Sequence, residues 1–76
     1  MKVLITGALG NLGGNATKKL LGQGHQVRCF DIKSKANEKK AAKLGDKAEI
    51  FWGDIRKPED LAAAVKDIDV VIHLAF

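Results

Sequence analysis

The segment Thr6-Gly7-Ala8-Leu9-Gly10-Asn11-Leu12-Gly13-Gly14 is the most informative part of this 76-residue chain. The β-rich run Lys2–Thr6 precedes it, and apolar residues spaced three and four apart follow it. The glycines therefore lie between a predicted strand and a predicted helix. A glycine-rich turn in that position is typical of a phosphate-binding loop.

Each of the three spaced glycines has a predicted role. Gly7 leaves the strand in a tight turn, Gly10 lets an anion approach the backbone, and Gly13 lets the helix pack close to the sheet. The amide groups of Asn11 and Leu12, with the helix dipole, are then predicted to hold a pyrophosphate. The spacing is G-x-x-G-x-x-G and not the standard G-x-G-x-x-G, so by itself it also fits an ordinary strand-to-helix turn.

Outward from the loop, predicted strands and helices alternate. The order β-α-β-α-β-α-β indicates a single α/β domain whose parallel strands are joined by right-handed crossovers. The predicted strands are Lys2–Thr6, Gln26–Asp31, Glu49–Trp52 and Val70–Leu74, and the predicted helices run from the loop to Gly22, from Asn37 to Leu44 and from Pro58 to Val65.

An acidic residue, Asp31, closes the second predicted strand. A carboxylate there can accept hydrogen bonds from both ribose hydroxyls of an adenosine, and its charge opposes a 2′-phosphate, which favours NAD. Lys33, Ser34 and Lys35 follow closely and are able to hold such a phosphate instead, so the sequence leaves NADP open. The alternative for Asp31 is a solvated aspartate at a strand end.

Composition excludes several classes of protein. Hydrophobic residues make up 46% and charged residues 29% of the chain, which is ordinary for a globular domain. No apolar run approaches about 18 residues, so we expect no membrane span. The single cysteine and the lack of an export signal predict a reducing cytoplasm, and the lack of a Cys/His cluster predicts no metal site.

Nucleic-acid binding is an alternative function, because the net charge of +4 would attract a phosphate backbone. The lysines between Lys33 and Lys47 form the most basic stretch, but no aromatic residue lies among them to stack on a base. The pattern favours a solvated helix face over a nucleic-acid surface.

Four motifs together resemble the extended short-chain dehydrogenases, the NAD-dependent epimerase/dehydratase group. They are Thr6-Gly7-x-x-Gly10-x-x-Gly13, Asp31, Gly53-Asp54-Ile55-Arg56 and His73-Leu74-Ala75, and the resemblance covers the whole chain. It implies a Rossmann-type half-fold with three helices and a parallel sheet of four strands in the order 3-2-1-4.

The resemblance also implies a role for each matching residue. It assigns the phosphate loop to the three glycines with Asn11 and Leu12, and the adenosine ribose to Asp31. It further implies that Asp54 and Ile55 contact the adenine and that Leu74 and Ala75 pass beneath the central sugars of the cofactor.

The catalytic pair of that family, Tyr-x-x-x-Lys, has no counterpart here, because the chain contains no tyrosine. We therefore expect residues 1–76 to be an NAD(P)-binding Rossmann domain without its catalytic half, which binds the cofactor and does not catalyse by itself. The alternative is a non-catalytic nucleotide-sensing or structural module that keeps the fold.

Four further expectations concern the C-terminal third. In the implied sheet order the hydrophobic segment Val70–Phe76 is an edge, which predicts self-association through this strand. Lys57 stands where the family often has an aspartate, so the third helix should lack an N-cap, and Phe76 stands where a small residue is common and is expected to crowd the cofactor. His73 is expected to be a packed, hydrogen-bonded core residue.

Overall fold

A computed structural model describes residues 1–75, so the expectation for Phe76 lies outside the described residues. Strands and helices alternate as predicted, and most boundaries agree within a residue. They are β1 (Lys2–Thr6), α1 (Asn11–Gly22), β2 (Gln26–Asp31), α2 (Lys35–Leu44), β3 (Glu49–Trp52), α3 (Pro58–Ala64) and β4 (Val70–His73).

The four strands form one parallel sheet in the order β3-β2-β1-β4. This confirms the order that the family resemblance implied. Ile5 of β1 is in register with Cys29 of β2 and with Ile72 of β4. Because β1 lies inside the sheet, the loop that follows it opens at the middle of the carboxyl edge.

Successive residues of β1 and β2 face opposite sides of the sheet and enter two apolar clusters. Val3, Ile5 and Cys29 lie on the side covered by α1 and α2. Leu4 and Phe30 lie on the side covered by α3, where the ring of Phe30 stacks on Phe51 with centroids 5.6 Å apart. Cys29 is fully buried, and burial raises the pKa of its thiol.

The helix ends explain where the predicted boundaries shift. α2 begins at Lys35, two residues before the predicted start, because the Ser34 hydroxyl caps it by accepting the Asn37 N–H at 3.1 Å. α3 begins at Pro58 after Lys57, whose side chain makes no capping bond, as predicted.

No residue of α2 is buried, so its lysines lie on a solvated face. None of the helices within residues 1–75 has the length and apolar character needed to cross a bilayer.

The prediction of a buried His73 is wrong, although the predicted hydrogen bond is present. β4 pairs with β1 on one side, and within residues 1–75 no strand lies on its other side. His73 and Val71 are consequently exposed. The imidazole Nδ1 of His73 lies 2.7 Å from the hydroxyl oxygen of Thr6.

Candidate dinucleotide site

The glycine loop turns sharply as it leaves β1. Gly7 has a φ of 68°, in the region that favours glycine, and its N–H donates to the carbonyl of Phe30 at 2.9 Å. A Cβ at Gly7 would lie 3.0 Å from the backbone nitrogen of Ala75. Gly7 is therefore constrained both by its backbone angle and by the chain that leaves β4.

Gly13 lies close to the turn that directly follows β1. A Cβ at Gly13 would overlap the carbonyl oxygen of Gly7 and lie 2.8 Å from the Cα of Ala8. At Gly10 the nearest atom to such a Cβ is the Gly7 oxygen at 3.5 Å, an ordinary contact. Gly13 therefore fixes the distance between α1 and the turn, while Gly10 leaves the loop surface open.

The amino end of α1 offers unpaired donors. The first intrahelical bond runs from the N–H of Gly14 to the carbonyl of Gly10 at 2.7 Å. Within residues 1–75 the amides of Asn11, Leu12 and Gly13 donate to no protein acceptor, and the first turn holds no acidic residue. These donors and the positive end of the helix dipole create a local preference for an anion.

Asp31 ties the glycine loop to the end of β2. Its Oδ2 accepts the N–H of Leu9 at 3.0 Å, and its Oδ1 accepts the N–H of Ile32 at 2.8 Å. Sequence reasoning missed the bond to Leu9, for which the only available signal was the pairing of β1 with β2. Each carboxylate oxygen keeps a further lone pair for a ligand hydroxyl.

A groove of about 350 Å³ opens at the carboxyl edge of the sheet. Five of the residues predicted for the site line this groove: Gly7, Asp31, Asp54, Ile55 and Ala75. Arg56 also lines it, although the sequence motif that contains Arg56 predicted no role for that residue. Its lining consists of Gly7, Phe30, Asp31, Ile32, Gly53, Asp54, Ile55, Arg56 and Ala75.

Arg56 holds the carboxylate of Asp54. Its Nη2 lies 2.8 Å from Asp54 Oδ2, and its Nε and backbone N–H donate to Asp54 Oδ1 at 3.0 and 2.8 Å. These hydrogen bonds lower the pKa of Asp54 to about 2. Asp54 is therefore an ionised acceptor at neutral pH, and its own N–H is fixed by the carboxylate of Asp60 at 3.0 Å.

The remaining predicted residues lie beside the groove or away from it. Gly10, Asn11, Leu12 and Gly13 are at the loop end, and Leu74 precedes the groove residue Ala75. Lys33 does not line the groove; its Nζ lies 3.8 Å from a carboxylate oxygen of Glu38.

A larger cavity, of about 720 Å³, lies between α1 and α2. It extends from Gly10 and Asn11 of the loop to the lysines of both helices, which include Lys18, Lys40 and Lys43. In open parallel sheets, ligands bind outside the carboxyl ends of the strands. The smaller groove occupies that position and contains both ionisable acceptors, Asp31 and Asp54.

The chain is similar to several known proteins over nearly its whole length. The model of the NAD dependent epimerase/dehydratase family matches residues 3–76. The photosystem II assembly factor Ycf39 of Cyanophora paradoxa is 40% identical over 73 residues, which cover 95% of this chain and 22% of the relative. The 3-beta-hydroxysteroid dehydrogenase of Mycolicibacterium neoaurum is 38% identical over 74 residues, 97% of this chain and 19% of the relative.

A solved structure is similar over nearly the whole chain. UDP-glucose 4-epimerase of Thermus thermophilus, in complex with NAD, superimposes with a TM-score of 0.82 at 26% identity. The match covers 99% of this chain and 24% of that protein. The chain spans about a fifth of the length of the curated relatives described above.

Proposed function

Because the chain belongs to the NAD-dependent epimerase/dehydratase family, we propose that it binds NAD at the carboxyl edge of its sheet. The observation that supports this most directly is one arrangement of groups. The unpaired amides of α1 lie at the loop end, and the carboxylates of Asp31 and Asp54 line the adjoining groove. A dinucleotide needs an anion site beside acceptors for its hydroxyl groups.

Each part of the site has a proposed partner on the cofactor. The amides of Asn11 and Leu12 hold the pyrophosphate, and the free lone pairs of Asp31 accept the ribose hydroxyls. Asp54 and Ile55 contact the adenine edge. Leu74 and Ala75 support the central sugars. When bound, the nicotinamide supplies hydride-transfer chemistry.

NAD is preferred over NADP because Asp31 places a negative charge where a 2′-phosphate would lie. The Lys33 ammonium, which is able to offset that charge, lies near Glu38 and outside the groove. We expect calorimetry to give a dissociation constant for NAD at least about tenfold below that for NADP.

The test compares Asp31→Asn with Asp46→Asn. Both variants remove one negative charge, but Asp46 is exposed after α2 and does not line the groove. Asp31→Asn should lower the ratio of the NADP dissociation constant to the NAD dissociation constant, and Asp46→Asn should leave this ratio unchanged. Equal or tighter binding of NADP by the unmodified chain contradicts the assignment. Failure to bind any adenine nucleotide overturns the proposed function and favours a structural module.

We further propose that these residues bind cofactor without catalysing. The 76 residues contain no tyrosine to act as the family's acid/base. Mixing the chain with NAD and a 3β-hydroxysteroid should give no NADH absorbance, and mixing it with NAD and a UDP-sugar should give no epimerised sugar. The appearance of NADH in the first mixture, or of the epimer in the second, would contradict this proposal.

Self-association through β4 is also proposed. Val70 and Val71 are 38% and 48% exposed, and the outer backbone edge of β4 pairs with no strand within residues 1–75. Such an edge is a template for another chain. Sedimentation at micromolar concentration should show a dimer or larger species that Val71→Lys dissociates, whereas Val65→Lys, exposed but outside the strand, should not. A monomer in the unmodified chain contradicts the proposal.

A further inference from the structure

One buried hydroxyl joins the ends of β1 and β4. Thr6 is 1% exposed, and its Oγ1 lies 2.7 Å from Nδ1 of His73, 3.0 Å from the backbone nitrogen of Leu74 and 3.3 Å from that of Ala75. The proposed function uses Leu74 and Ala75 but gives no role to Thr6 or His73.

Counting donors and acceptors fixes the direction of each bond. A hydroxyl has one hydrogen and two lone pairs. The two amides are able only to donate, so they occupy both lone pairs of Thr6 Oγ1. Among residues 1–75 the hydroxyl hydrogen then has one remaining acceptor in reach, the Nδ1 of His73. Nδ1 must therefore carry a lone pair, and the ring hydrogen must be on Nε2.

The opposite assignment leaves groups unsatisfied. If Nδ1 carried the hydrogen, the hydroxyl hydrogen of Thr6 would have no acceptor within residues 1–75. Thr6 is too deeply buried for water to replace that bond, so the arrangement would carry the cost of an unpaired buried donor.

We infer that Thr6 and the Nε2–H tautomer of His73 form a latch that positions the Leu74–Ala75 backbone against the glycine loop. Ala75 approaches Gly7 so closely that a Cβ there would lie 3.0 Å from the Ala75 nitrogen, and both residues line the groove. The consequence for NAD rests on the proposed function. In that setting Thr6 and His73 are positioning residues, because they act on the cofactor through Ala75 and Gly7.

The two amides differ in how much they depend on the latch. The Leu74 N–H also lies 3.2 Å from the carbonyl oxygen of Thr6, so it keeps an acceptor when the hydroxyl is removed. The Ala75 N–H has only Thr6 Oγ1 as an acceptor within residues 1–75. Loss of the hydroxyl should therefore release Ala75 more than Leu74.

The first experiment is NMR of the 76-residue chain without cofactor. At about pH 8, the nitrogen shifts of His73 should report a hydrogen on Nε2. Thr6→Val, which keeps the shape and removes the hydroxyl, should speed amide exchange at Ala75 about fivefold and at Leu74 less. Thr6→Ser, which keeps the hydroxyl, should restore slow exchange. An Nδ1–H tautomer, or unchanged exchange at Ala75 in Thr6→Val, overturns the latch.

The second experiment measures NAD affinity by calorimetry. His73→Leu, at an exposed position, removes the acceptor and should weaken binding about fivefold, as should Thr6→Val. His73→Asn offers a side-chain oxygen to the hydroxyl and should recover most of the loss. If the unmodified chain does not bind NAD, the proposed function fails while the NMR result still decides the latch. If the NMR result holds and all variants bind NAD equally, the effect on the cofactor is overturned.

Discussion

Two arginine–carboxylate pairs lie near opposite ends of the sheet. Arg28 pairs with Glu49 near the amino ends of β2 and β3, and its side chain is 10% exposed. Arg56 pairs with Asp54 beyond the carboxyl end of β3, and its side chain is 81% exposed. The chemical groups are the same, but their surroundings and their partners differ.

Arg28 joins three elements. It donates to the carboxylate of Glu49 on β3, and its Nη1 donates to the carbonyls of Ala64 and Lys66 at 2.6 and 2.9 Å, where α3 ends. The guanidinium of Arg56 bonds to Asp54 within the same turn. The comparison indicates that the pair near the amino ends holds separate elements together, whereas the pair at the carboxyl end arranges two residues that line the groove.

Replacing each arginine by methionine should give the largest contrast. Arg28→Met leaves two carbonyls at the end of α3 unpaired and should lower the free energy of unfolding by about 3 kcal/mol. Arg56→Met removes an exposed pair that solvent screens, and it should lower the free energy of unfolding much less than Arg28→Met does. Urea unfolding measures both, and equal losses would contradict the division between the two ends.

The glycine loop adds a contact at the carboxyl end that contributes to stability, the close approach of Gly13 to Gly7 and Ala8. Gly13→Ala forces a Cβ onto Gly7 and Ala8. Overpacking costs up to about 3 kcal/mol, and the better helix propensity of alanine offsets about 1 kcal/mol of that cost. We therefore expect the free energy of unfolding to fall by about 2 kcal/mol. NAD binding should be lost with it. At the neighbouring Gly14 a Cβ meets nothing closer than 3.9 Å, so Gly14→Ala should raise stability by about 0.5–1 kcal/mol. A loss of stability in both variants would show that any side chain in this turn is harmful.

Titration of the two carboxyl groups should give a smaller effect. The pKa of Glu49 is lowered, mainly by its hydrogen bonds from Arg28, and the pKa of Asp54 is lowered to about 2 by Arg56. Because folding lowers both pKa values, the associated stability is complete above the ordinary carboxyl range of about 4 and disappears as pH falls through the lowered values. The stability difference between the unmodified chain and Arg28→Met should therefore shrink below about pH 4.

Arg56→Met tests the carboxyl end alone, and its expected effect is the smallest. The pKa of Asp54 should return from about 2 towards its ordinary value. Carbon NMR of the Asp54 carboxyl group, in the unmodified chain and in the variant, measures the shift. A pKa that stays near 2 would mean that the backbone amide of Arg56 holds the carboxylate without the guanidinium.

Local patterns predicted most of the fold, and contacts between distant residues were not predictable. Strand periodicity and the glycine spacing located β1, the loop and α1, because those signals lie within a few residues of one another. The bond from Leu9 to Asp31 and the bonds from Arg28 to the end of α3 depend on the register of separate elements. The burial of His73 was predicted wrongly because exposure depends on what lies beside β4, which a short local pattern does not encode.

The single cysteine is a chemical probe of how often the sheet opens. Cys29 lies at the centre of the sheet, where it has no exposed surface and its thiol pKa is raised, so alkylating reagents have neither access to it nor much thiolate to attack. Modification then requires β2 to separate from its neighbours. The rate of alkylation therefore measures how often the central strands open. Comparing this rate between variants at the two ends of the sheet shows how much each end slows the opening.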